Sequence, residues 1–206
     1  MPERRLIMQR IGKVSALLLS LYFITASPVG AWLESTMVGH VLLQLPLLVT
    51  IGLFAIDVLP TKLTNMVVLI NAGGIFGCIS ITFIFLVWMI PRCLDASLAY
   101  ESVALCKYLS LIVGGMLLRM SWPLAHPITR GLLQIEFISM LLRLGWLYLI
   151  SPERLCNSYL LSEQIWLGRG FLIIALALCC TWLIPVFFGD SVNQDAKNSR
   201  SIEAPS

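Results

Sequence analysis

Apolar positions in this chain fall into long unbroken runs, with little of the strict alternation of a half-buried strand. A bilayer core of about 30 Å takes about 20 mostly apolar residues per helix. Six stretches approach or exceed that requirement: 14–32, 36–58, 65–90, 108–122, 128–150 and 165–188. The fourth is short, and Pro123 follows it directly. Runs of this kind fit helices; a membrane barrel strand instead alternates over about 10 residues. The expected fold class is all-α, a polytopic transmembrane bundle of about six helices. Three parts follow: a basic amino terminus over 1–13, the transmembrane domain over 14–188, and a polar tail over 189–206 expected to be disordered.

Composition agrees with this pattern and removes other classes. Of 206 residues, 58% are apolar and 12% charged, against about 25% charged in an ordinary soluble domain. The mean hydropathy is +0.89. That excludes a water-soluble fold, and intrinsic disorder, which needs low hydrophobicity and high charge. A net charge of +3 with scattered basic residues excludes a nucleic-acid partner.

Lysine and arginine bias sets the orientation. Arg4, Arg5, Arg10 and Lys13 hold the amino terminus in the cytoplasm, and an even number of spans returns Lys197 and Arg200 to the same side. Inner loops then hold Lys62 and Arg130. Outer loops hold Arg92, Lys107 and Arg154 among Glu34, Asp95, Glu101, Glu153 and Glu163. The chain is therefore expected to be integral to the cell (inner) membrane, surrounded by lipid, with both termini cytoplasmic. As an alternative, the basic start, the apolar stretch 16–24 and Val29-Gly30-Ala31 resemble a cleavable signal peptide. Trp32, Trp88, Tyr108, Trp122, Tyr148 and Trp166 fall near predicted helix ends, where aromatic belts belong.

Chemistry-bearing residues inside spans are few. His40 lies about one turn inside the second helix, with Met37 at i−3 and Gln44 at i+4 on the same face. A thioether beside an imidazole is a candidate Cu(I) ligand pair; the competing assignment is a histidine bonded to a neighbouring helix. His126 is expected at the opposite membrane face, as a turn residue before Pro127, so the two histidines cannot share one ion. Six cysteines show no Cys-x-x-Cys pair. Cys78, Cys179 and Cys180 are packing residues, while Cys93, Cys106 and Cys156 are placed on the outer side, able to pair or to supply a thiolate.

Glu136 and Arg143 share a face of the fifth helix at i,i+7, about 10 Å apart along the axis. That spacing favours a bridging water or separate partners over direct contact, with Arg119 a sensible cross-helix partner for Glu136. A buried pair fixing helix register is favoured over a proton relay. Gly73, Gly74 and Gly77, and likewise Gly114 and Gly115, read as small-residue packing patches. No G-x-S-x-G, H-E-x-x-H, P-loop or dinucleotide fingerprint is present, so no enzyme activity is expected.

Three ordered motifs resemble the CtaG-type cytochrome c oxidase assembly membrane proteins. MVGHVLLQLPLLVTIG (Met37 to Gly52) resembles that family's histidine helix with its Pro-Leu-Leu segment and glycine. LIVGGMLLRMSWPL (Leu111 to Leu124) resembles its Gly-rich helix ending in Trp-Pro. SEQIWLG (Ser162 to Gly168) resembles its Asp-Gln-x-x-x-Gly stretch, with Glu163 and Gln164 at the acid and amide positions. The resemblance implies an accessory protein that binds copper transiently at the outer side for a haem–copper oxidase subunit. It points to His40, Met37, Glu163 and Gln164 as metal ligands, with the outer cysteines at the rim. The chain departs from fuller members in having fewer histidines, His40 alone on the outer half. The competing expectations are a non-metal structural or interaction protein, and a small transporter using Glu136 and Arg143.

Overall fold

Proline sets where several helices begin. Its fixed φ and missing N–H suit the first turn of a helix and disfavour an interior position. Pro28, Pro91 and Pro127 each open a helix, and Pro46 stands in the first turn of another. The structure is a computed structural model that describes residues 2–60, 64, 67–69 and 71–202, with side chains from 12 to 183 other than 72.

Among the described residues every regular element is helical: α1 (Pro2–Thr25), α2 (Pro28–Ser35), a π-helical turn (Gly39–Gln44) leading into α3 (Leu45–Ala55), α4 (Ile75–Trp88), α5 (Pro91–Ala99), α6 (Glu101–Leu124), α7 (Pro127–Ile150) and α8 (Leu161–Ile202). Among the described residues four segments are long and apolar enough to cross a membrane: Gly39–Val58, Glu101–Leu124, Pro127–Ile150 and Leu161–Leu183. Two bent pairs raise this to six if each is one span: Gly12–Thr25 with Pro28–Ser35, bent by 46°, and Ile75–Trp88 with Pro91–Ala99, bent by 72°.

The expected boundaries need three corrections. The first span, 14–32, is broken where Ser27 caps α2, its side chain accepting from Val29 N at 3.1 Å. The third, 65–90, is not one helix. Its start falls partly outside the described residues, and Gly73 and Gly74 then take left-handed φ of 67° and 71°, a conformation that favours glycine. Helix α4 begins only at Ile75, and Pro91 ends its direction. The fourth is 24 residues long and starts at Glu101, so Lys107 lies inside a spanning helix and not in a loop. The fifth span agrees closely, and the sixth begins at Leu161. The polar tail, 189–206, lies where no side chain is described.

Small residues let backbones meet. Helix α3 crosses α6 at Gly52 and Gly115, where a Cβ on Gly52 would collide with the Ile112 carbonyl and one on Gly115 with the Val49 carbonyl. Gly77 of α4 meets Ser121 of α6 in the same way, and Gly145 of α7 meets Gly168 of α8. In lipid, where apolar burial gives helices little reason to associate, such close contact is a main attractive force. Asn71 fastens the break before α4: its Nδ2 donates to Ser121 Oγ at 2.8 Å, and its Oδ1 accepts from Gly77 N at 3.0 Å.

The helices fall into two packed groups. Helix α6 gathers α3, α4 and α5, while α7 packs chiefly on α8. Between the groups lies an apolar cavity of about 400 Å³, lined among others by Val49, Phe85, Trp122, Phe137 and Phe171.

Candidate functional site

The π-helical turn places His40 and Gln44. Leu45 N bonds back to the His40 carbonyl, five residues earlier, immediately before Pro46. In a straight α-helix the Pro46 ring would press on the carbonyl of Leu42; widening the turn relieves this. It also turns His40 and Gln44 inward, where both are completely buried. Wide turns of this kind occur often at functional sites.

Four other side chains meet them from separate elements. Glu34 comes from the last turn of α2, Lys107 and Tyr108 from α6, and Tyr159 from the loop 151–160. Lys107 Nζ lies 2.7 Å from His40 Nε2, 3.2 Å from Glu34 Oε1 and 3.3 Å from Gln44 Oε1. Glu34 Oε1 also accepts from Gln44 Nε2 at 2.9 Å and Tyr108 OH at 2.9 Å. Gln44 Nε2 reaches the Ile24 carbonyl at 3.1 Å as well, tying α1 to the group. His40 Nδ1 lies 2.9 Å from Tyr159 OH, which donates to the Glu34 carbonyl at 2.8 Å.

With Lys107 taken as an ammonium paired to the Glu34 carboxylate, these contacts assign the proton positions. An ammonium at Lys107 has no lone pair, so His40 Nε2 accepts from it and Nδ1 carries the ring hydrogen. Nδ1–H then donates to the Tyr159 oxygen. Burial pushes the Tyr159 phenol well above its ordinary range, with the Glu34 charge adding to the effect. It therefore stays neutral and donates onward to the Glu34 carbonyl. The result is a closed ring: Glu34 carboxylate, Lys107, His40, Tyr159, Glu34 backbone. Lys107 is completely buried, and the Glu34 side chain is 23% exposed, so the ring meets the surface at Glu34.

The loop that delivers Tyr159 is itself pinned. Asp95 of α5 accepts from Asn157 N at 2.6 Å and Ser158 N at 3.3 Å. Gln164 accepts from Leu155 N at 2.9 Å and donates to the Tyr148 carbonyl at 3.3 Å. Cys156 is buried under the loop, its Sγ 3.7 Å from the Pro91 carbonyl. Burial, with Asp95 nearby, pushes its thiol up to about 12.

No family model, curated protein or solved structure matches this chain. The site therefore rests on its own geometry.

Of the four residues expected to ligate a metal, His40 sits at the centre of the ring with both nitrogens engaged, one by a cation. Met37 is fully buried in the apolar core. Glu163 accepts from Leu160 N at 3.3 Å at the start of α8, and Gln164 holds the loop. Among the described residues no three His, Cys, Asp or Glu side chains group to hold a metal ion. As arranged, this donor set does not fit copper: a Cu(I) ion would need the lone pair that Lys107 occupies, beside an ammonium that repels it. The three cysteines expected on the outer side are free thiols, Cys156 buried, Cys93 half-buried and Cys106 exposed.

Two charge expectations change. Glu136 and Arg143 are in direct contact, NH2 to Oε1 at 2.7 Å, because the arginine folds back toward the helix start. Arg119 does not reach Glu136; it pairs with Asp57 at 3.0 Å and donates to the Leu53 carbonyl at 3.0 Å. Lys13 lies 3.9 Å from the same aspartate. His126 is a turn residue as expected, its Nδ1 accepting from Ile128 N at 3.4 Å as the cap of α7.

Lys107, Glu34 and Tyr159 were the site residues missed from sequence. A signal existed for Lys107: a 15-residue fourth span is too short for the bilayer, and extending it backward to about 20 residues takes Lys107 in. Nothing comparable marked Glu34, which reads as an ordinary loop acid.

Proposed function

We propose that this chain is a non-enzymatic accessory protein of the membrane, one that binds and stabilises another membrane protein. The carrying observation is the closed ring of Glu34, Lys107, His40 and Tyr159. Its His40 nitrogens, its Tyr159 hydroxyl and its Lys107 ammonium are all engaged within the protein. A site for turnover keeps a base, nucleophile or ligand position open; a satisfied network instead rigidifies the elements it joins. This ring makes one end of the protein a fixed platform from α2, the π-helical turn, α6 and the loop 151–160. The CtaG-like motifs name the first partner class to test, a haem–copper oxidase subunit in the cell (inner) membrane. Lysine and arginine bias assigns the ring to the outer side and both termini to the cytoplasm. On this proposal His40 serves the platform and not copper delivery.

The test is purification from native membranes in a mild detergent, with and without Cu(I) loading, for wild type and His40→Ala. The expected result is an oxidase subunit recovered at a fixed ratio to wild type, with copper far below one per chain and unchanged by the substitution. Wild type recovered alone from gentle extracts would overturn the accessory function. One copper per chain, lost in His40→Ala, would overturn the metal-free assignment and restore copper delivery.

A further inference from the structure

Helix α7 carries an ion pair that no described part of the chain buries, its Glu136 end standing at the edge of the apolar cavity between the two helix groups. Glu136 and Arg143 are bonded at 2.7 Å, with side chains 49% and 63% exposed. The helix spans Pro127–Ile150. At 1.5 Å per residue, Glu136 lies about 4 Å and Arg143 about 7 Å from its midpoint, well inside a hydrocarbon half-thickness of about 15 Å. Arg143 does not snorkel to the nearer end. Its Nε bonds the Ser139 carbonyl at 3.3 Å and its NH2 reaches back to Glu136, both toward the helix middle. Trp146, exposed one turn further on, extends the same stripe.

Elsewhere the exposed faces look as lipid-facing surfaces should. Helix α8 presents Ile173 and Leu176, and α4 presents Ile79 and Phe83. Ionisable groups within spans almost always face a protein interior or a water-filled cavity. Glu136 Oε2 and Arg143 NH1 have no hydrogen bond among the described residues, so lipid tails would leave both without one.

We infer that the Glu136–Arg143 stripe of α7 is a docking face for a membrane-spanning helix of a different protein, one bearing an acidic side chain level with Arg143 and a hydroxyl, amide or basic group level with Glu136. This inference rests on the accessory function proposed above and names its surface. A second copy of the chain does not fit. Two copies inserted the same way are related by an axis along the membrane normal. Their α7 helices would run parallel, with Glu136 level with Glu136 and Arg143 level with Arg143, like charge facing like. A heterologous helix is free of that constraint and can oppose each charge with its complement.

The experiment places a photo-crosslinking amino acid at Leu142, exposed beside Arg143, or at Ile173 on α8 as a control, in the full chain in native membranes. The expected product from Leu142, and not from Ile173, is one discrete protein adduct. Its cross-linked peptide comes from a membrane span with an acid within one turn of the attachment point. In the double variant Glu136→Leu, Arg143→Leu the adduct falls at least tenfold, while the chain accumulates and resists unfolding at least as well as wild type. A merely structural pair would instead destabilise the chain when removed. An adduct with lipid alone, an adduct of twice the chain mass, or a yield that survives the double variant would overturn the docking face. If the partner co-purifies equally with wild type and the double variant, the accessory function stands and this face is wrong. If it co-purifies with neither, both are wrong.

Discussion

Lys107 Nζ stands 2.7 Å from Nε2 of His40, in a place where neither side chain has any exposed surface. The cation holds the histidine in one tautomer, and the histidine supplies one of the acceptors a buried ammonium requires. Breaking a buried ionic group on one side costs about 3–5 kcal/mol, because the remaining partner is stranded. Lys107→Met is expected near the low end, about 3 kcal/mol, since Glu34 keeps some solvent contact. Unfolding in mixed detergent–SDS micelles measures this. Adding Glu34→Gln to the same chain should recover part of the loss, so the two effects are less than additive; full additivity would mean the pair is not coupled.

Tyr159→Phe removes one hydroxyl that serves two partners, His40 Nδ1 and the Glu34 carbonyl. Leaving such groups unpaired costs about 1–3 kcal/mol. The loss should be local, with faster amide exchange across 151–160 and little change in α7 or α8. Exchange rates unaltered in that loop would show that Asp95 and Gln164 hold it unaided.

Cys156 gives a dependence on pH with a definite sign. Its thiol is raised from 9.0 to about 12 in the folded protein. Both states are protonated below pH 9, so there it contributes nothing that varies. From pH 9 to 12 the unfolded chain releases the proton and the folded chain keeps it, so stability falls as pH rises through that window. Only the thiolate reacts with alkylating reagents. At pH 8 the folded protein should label at Cys156 roughly a thousandfold more slowly than the denatured chain. Equal rates would place the thiol in contact with water.

Gly115→Ala and Gly131→Ala should differ in direction. A Cβ at Gly115 would press on Gly52 Cα, at 2.9 Å, and on the Val49 carbonyl, forcing α3 and α6 apart. Overpacking of that kind costs about 1–3 kcal/mol. At Gly131 the nearest atom is Trp182 Cζ2 at 3.9 Å, so alanine gains helix propensity, up to about 1 kcal/mol. Thermal unfolding of the two variants compares them directly.

Most of the architecture was legible because lipid imposes one solution on a long apolar run, a helix. The ends of α7 could be read almost to the residue, since Pro127 and Ile150 bound an uninterrupted stretch. The glycine contacts were legible at Gly77, Gly114 and Gly115. Gly73 instead only breaks the chain, while Gly74 both takes a left-handed φ and packs on Ser121 and Ala125, and composition does not distinguish these roles. His40 stood out as a lone imidazole in a span. Its partners did not, because Lys107 and Tyr159 come from elements far from it in sequence and Glu34 lies across the extended residue Thr36, and hydropathy carries no information on which helix ends meet. The 7-residue spacing of Glu136 and Arg143 hid a direct contact, because side-chain lean shortens a distance that backbone rise alone overstates.

The bond from Tyr159 to the Glu34 carbonyl spans 125 positions of sequence. During synthesis, therefore, His40 and Lys107 enter the membrane long before the hydroxyl that completes their set of partners has been made. A nascent chain ending before residue 159 carries an imidazole N–H without its acceptor and a loop not yet closed over it. Full-length and stalled chains thus differ at one end of the bundle, where a chaperone or membrane protease could tell a finished molecule from an unfinished one.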